Sequence, residues 1–119
     1  MTIEELYARI GGDYAAVIAF MASPQRVEKF VGKFLANTDF QNLVAALDAK
    51  NYADAFRFSH NLKGMSANLS FTKLFTSSSE LCESLRNGPP KVPVAPLFDA
   101  VKADYEATTD GIRAFLDGK

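Results

Sequence analysis

The sequence predicts an all-α fold, an antiparallel four-helix bundle with short additional helices at its N-terminus. Three observations predict it. Apolar residues recur at i, i+3, i+4 and i+7 almost throughout. Helix-capping residues stand at the breaks between the periodic segments. No segment alternates with a period of two, so no sheet is expected. The chain has 119 residues, enough for a single domain with a real core, and the expected organisation is one domain over 1–119, with short helices in 1–22 and the bundle in 23–117.

Each element follows from local chemistry. Thr2 and Glu5 form a capping-box pattern ahead of Ile3, Leu6 and Ile10, and Gly11-Gly12 closes that helix. Asp13 can cap a second short helix carrying Val17, Ile18 and Met21. Ser23-Pro24 reads as an N-cap and first-turn proline, followed by Val27, Phe30, Val31, Phe34 and Leu35 on one face. Asp39 starts the next helix, with Phe40, Leu43, Val44 and Leu47, and Asn51 is placed to cap the one after it. Residues 52 to 69 then read as one helix whose apolar series is Phe58, Leu62, Met65 and Leu69. After a break near Ser70 to Thr72 the pattern resumes through Leu74, Phe75, Ser78, Leu81, Cys82 and Leu85. The Pro-rich stretch NGPPKVPVAP, residues 87–96, is expected to be a stiff loop before a last helix from about Val94 to Leu116.

Composition narrows the function. Thirteen basic residues against 14 acidic give a formal net charge of −1, which offers no electrostatic case for nucleic acid or an anionic membrane. The opening MTIEELYARI does not resemble a signal peptide, and no run approaches the ~20 apolar residues of a membrane span. One Cys cannot form an internal disulfide, and one His with one Cys cannot build a zinc site, so no metal site and a cytoplasmic location are expected.

The only histidine, His60, lies in SHNLKGMSANLSF, residues 59–71. At about 100° per residue, Phe58, Leu62, Met65 and Leu69 fall roughly 140° to 200° from it around the helix, so His60 is expected to face outward. Arg57 and Lys63, three residues to either side, share that face and would stabilise an anion on the ring. Gly64 costs roughly 1 kcal/mol of helix stability relative to Ala. Its place beside His60 favours access for a partner over close packing against a neighbouring helix. Phe56 is either part of a docking surface or packed on a flanking helix. No Ser-His-Asp arrangement is identifiable, whereas an imidazole, with an ordinary pKa of ~6.5, can itself be the nucleophile near neutral pH.

SHNLKGMSANL resembles the signature of histidine-containing phosphotransfer (HPt) domains: a histidine, then x-x-Lys-Gly, then Asn-Leu-Gly. His60, Lys63, Gly64, Asn68 and Leu69 match it, and Ser70 stands where the family usually has glycine. That serine is expected to be tolerated, as a small residue able to cap the following helix. The resemblance implies a phosphorelay protein that accepts a phosphoryl group on His60 and passes it to or from an aspartate of a receiver domain. Lys63 would neutralise the phosphoryl oxygens, with Arg57 and Arg86 as further candidate cations. Phe56, Gly64, Ala67 and Asn68 would form the docking face. The implied protein is a monomeric phosphocarrier in a sensor histidine kinase pathway, not an ATP-dependent enzyme, and the chain has neither G-x-G-x-x-G nor a Walker sequence. No cofactor is expected on this chain, since Mg²⁺ would belong to the receiver. The alternative is a helical module that docks a receiver without being phosphorylated.

Overall fold

The structure, a computed structural model, describes residues 1–118. Among these, seven helices and no strands are found: α1 (Ile3–Ile10), α2 (Tyr14–Met21), α3 (Pro24–Phe34), α4 (Asp39–Asp48), α5 (Tyr52–Asn68), α6 (Thr72–Ser84) and α7 (Val94–Asp117). The caps explain most of the starts. Thr2 Oγ1 accepts the Glu5 N–H while Glu5 Oε1 accepts the Thr2 N–H, completing the capping box. Asp13, Ser23 and Asn51 accept the N–H groups of Ala16, Arg26 and Asp54, so α2, α3 and α5 begin where a side-chain oxygen satisfies an otherwise orphaned donor.

The bundle consists of α4 to α7. α5 packs on α4 and most extensively on α6, and α6 packs on α7. Aromatic stacking closes the ring of helices: the Phe40 ring of α4 lies parallel to Tyr105 of α7 at 4.1 Å and stacks on Phe98 at 5.9 Å. α1 lies along α7, and contact there is close because position 111 is glycine; a Cβ at Gly111 would stand 2.6 Å from Ile10 Cγ2. Phe34, at the end of α3, wedges between Phe71 and Tyr105 and ties the N-terminal helices to the core.

The inner face of α5 differs from the expected stripe. Leu62 and Leu69 are buried, but Phe58 and Met65 are only half-buried, at its margin. The buried row is Ala55, Ser59, Leu62, Ser66 and Leu69. α6 likewise buries Ser77, Ser78 and Cys82 beside its leucines. Small residues let two helices approach, and the serines keep their hydroxyls satisfied locally: Ser59 Oγ donates to the Phe56 carbonyl at 2.9 Å and Ser66 Oγ to the Leu62 carbonyl at 2.8 Å. The face follows the neighbours, not the largest apolar letters.

Ser70 also departs from expectation. It does not cap α6, whose N-cap is Phe71 with no side-chain hydrogen bond. Instead it has φ of 56°, and the Phe71 and Ser70 N–H groups donate to the Ser66 and Ala67 carbonyls. This is the Schellman end of α5, where a left-handed residue is required and glycine is ordinarily used. The turn is held from outside: Ser70 O accepts the Asp13 N–H at 2.8 Å, and the buried Tyr7 hydroxyl donates to Leu69 O at 2.8 Å. Burial pushes the Tyr7 phenol well above its ordinary pKa, which keeps that donor protonated.

Candidate functional site

The site forms on the outer face of α5, where the helical phase places His60. His60 is exposed, on the opposite side from Leu62 and Ser66. Lys63, one turn along on the same face, is half-buried and has no ion-pair partner among the described residues, so no carboxylate offsets its charge. Gly64 is exposed, and a Cβ built on it would meet nothing within 4 Å. Close packing therefore does not explain this glycine. The helix gives up propensity there and leaves open space beside the histidine.

The two arginines are arranged differently. The Arg57 guanidinium lies 3.4 Å from Asp54 Oδ1, and its Cζ sits 4.9 Å from the Phe58 ring centroid. A carboxylate thus offsets the Arg57 charge, as none does for Lys63 among the described residues. Arg86, just beyond α6, reaches the site through Phe56: its Cζ is 5.5 Å from the Phe56 ring centroid. Glu83 holds its Nε at 2.9 Å, and that hydrogen bond raises the Arg86 pKa further. Phe56 itself is half-buried against the core, and its ring centroid is 6.0 Å from that of His60 with planes inclined by 30°. Packing on a flanking element and lying beside the histidine are both true of this residue. Ala67 and Asn68 are exposed two turns further along α5.

A feature missed by sequence reasoning lies beyond Asn68. A groove of ≈ 580 Å³ opens between α2, α3 and the end of α5, lined by Phe20, Phe30, Met65 and Leu69 among others, with Arg26, Lys33 and Asn68 as its polar residues. Phe20 is 72% exposed, the most exposed large apolar side chain of the described residues. The signal was available in YAAVIAFM, residues 14–21: a helix apolar on every side has more apolar surface than one neighbour can cover, and only Val17 and Met21 are buried. Among the described residues, no group of three or more His, Cys, Asp or Glu side chains could hold a metal ion, and no helix is long and apolar enough to cross a membrane.

The arrangement is an accessible imidazole on a rigid helix, with fixed positive charge and clearance beside it. It suits a nucleophile that accepts an anionic group from a large partner. The family model of the Hpt domain matches residues 34–111, from the end of α3 through most of α7, and the chain belongs to that family. Hpt domains are the phosphotransfer modules of two-component phosphorelays and work with receiver domains and histidine kinases; they carry phosphoryl groups and are not classical enzymes. No curated protein and no solved structure matches the chain.

Proposed function

We propose that this protein relays phosphoryl groups through His60, accepting one from, or returning one to, the aspartate of a receiver domain. The observation that carries the reading is the triplet on α5: exposed His60, unpaired Lys63 and a Gly64 that faces open space. In the accepting direction, the lone pair of an unprotonated imidazole nitrogen forms the N–P bond as the P–O bond to the aspartate breaks. The electron pair leaves on the carboxylate, and the proton on the second ring nitrogen is free to pass to water. Lys63 stabilises the phosphoryl oxygens during and after transfer, with Arg57 and Arg86 contributing less. Mg²⁺ and the acidic pocket come with the receiver, so His60, Lys63 and the clearance at Gly64 are all this chain has to supply.

The receiver also uses the groove. A standard interface covers about 800 Å² on each partner, roughly 30 Å across, and Asn68 at the groove's edge is only about 12 Å along α5 from His60. The groove's polar residues include Arg26 and Lys33 but no carboxylate, which favours an apolar ridge flanked by acidic residues on the partner. The whole chain acts as one domain and as a monomer.

Incubation with a phosphorylated receiver and Mg²⁺ tests the reading. The expected product is an acid-labile, base-stable label on the protein that is absent in His60→Gln. A label that persists in His60→Gln, or no label with any cognate receiver, overturns it.

A further inference from the structure

Phe56 is four residues before His60, so the two side chains meet on one face of α5. Their rings are 6.0 Å apart and inclined by 30°, within the range of aromatic contact. Phe56 is not free to swing. Its inner edge packs on the hydrophobic core, and the Arg86 guanidinium lies against its ring at 5.5 Å. Arg86 in turn pairs with Glu83 at 2.9 Å on the exposed end of α6. A connected series of groups, Glu83, Arg86, Phe56 and His60, therefore runs from the end of α6 to the reactive imidazole.

An exposed histidine ordinarily samples several rotamers, and only some of them aim a ring nitrogen at an incoming phosphorus. A wall beside the ring removes part of that freedom before the partner arrives. Rigidity supplied in advance is therefore worth a rate factor of up to about tenfold. Lys63 and Gly64 cannot provide it, one being a flexible cation and the other having no side chain.

We propose that Phe56, anchored by Arg86, is a positioning residue that holds the His60 imidazole ready for phosphoryl transfer, beyond any role as a docking contact. The proposal rests on the reading of His60 as the phosphoryl acceptor.

A small phosphodonor separates positioning from docking, because it needs no protein interface. With phosphoramidate, the imidazole nitrogen forms its N–P bond while the donor's P–N bond breaks. The departing nitrogen leaves as ammonium, taking the imidazole N–H proton. Labelling of the full chain is followed by phosphorus NMR, and the His60 ring-proton shifts are recorded on the same samples. Phe56→Leu is expected to slow labelling about three- to tenfold and to move the His60 resonances by removing the ring current. Phe56→Tyr, which keeps the ring, restores the rate to within about twofold of the original. Arg86→Lys, at an exposed position where folding is not at risk, keeps the positive charge but loses the planar contact with Phe56, and slows labelling in the same direction by about twofold. Against a phosphorylated receiver, Phe56→Leu lowers the maximal rate more than it raises KM.

Unchanged phosphoramidate labelling in Phe56→Leu, with only KM for the receiver raised, overturns the proposal and leaves Phe56 as a docking contact. That result leaves the phosphoacceptor reading intact. Failure of the unsubstituted protein to take label on His60 from either donor overturns both.

Discussion

The two faces of α5 obey opposite rules. The inner row, Ala55, Ser59, Leu62, Ser66 and Leu69, is closed, small and fully satisfied, and each buried hydroxyl there returns to a carbonyl of its own helix. The outer face carries a glycine with no neighbour, an unpaired lysine and a half-exposed aromatic beside an exposed histidine. Gly64 lowers the helix's own stability, and Lys63 gains no ion pair in return. On the proposed reading a single helix separates holding the fold from performing the chemistry, and that separation can be tested by substituting one face at a time.

The largest effect is expected inside. Leu62→Ala empties a fully buried position and is expected to lower stability by about 2–5 kcal/mol, measured by urea unfolding. The fraction that stays folded should take label on His60 at the original rate. A slowed rate per folded molecule would show that the faces are coupled.

Gly64→Gln reverses the pattern. With open space at the Cβ, the substitution is expected to stabilise the helix by roughly 0.5–1 kcal/mol while slowing transfer from a receiver about tenfold, a barrier increase of about 1.4 kcal/mol. Phosphoramidate labelling should be nearly unaffected, because a small donor does not need the clearance. Equal receiver transfer rates for Gly64→Gln and the unsubstituted chain would remove the steric argument.

Phe20→Ser sharpens the comparison from outside α5. Loss of an apolar groove contact is expected to raise KM for the receiver about fivefold, roughly 1 kcal/mol, with the maximal rate unchanged. That is the opposite split to Phe56→Leu. The smallest change belongs to the end of α5. Ser70→Gly relieves a left-handed residue and is expected to add about 0.5–1 kcal/mol to stability, read as a rise in Tm, with transfer unaltered.

Much of this molecule was legible in its letters. Thr2, Asp13, Ser23 and Asn51 each marked a helix start that a hydrogen bond confirms, and the outward direction of His60 followed from helical phase alone. The apolar series Phe58, Leu62, Met65 and Leu69 predicts an inner row of α5 centred on its larger apolar letters. Its true centre is displaced toward two serines, a shift visible only once α4 and α6 are in place. Ser70 was readable as an exception to the family pattern, but its left-handed backbone is a property of the turn it occupies.

By itself, the sequence determined the helices, their order and the face on which the histidine stands, because caps and the 3.6-residue period act within a few residues along the chain. The tertiary structure decided what meets across elements. It brought Arg86 onto Phe56 from the turn after α6, left Phe20 uncovered beside Arg26 and Lys33, and clamped the Ser70 turn with Asp13 and Tyr7. Those contacts depend on how far apart helices pack and which loops touch, and neither is encoded in the local period that shapes each helix.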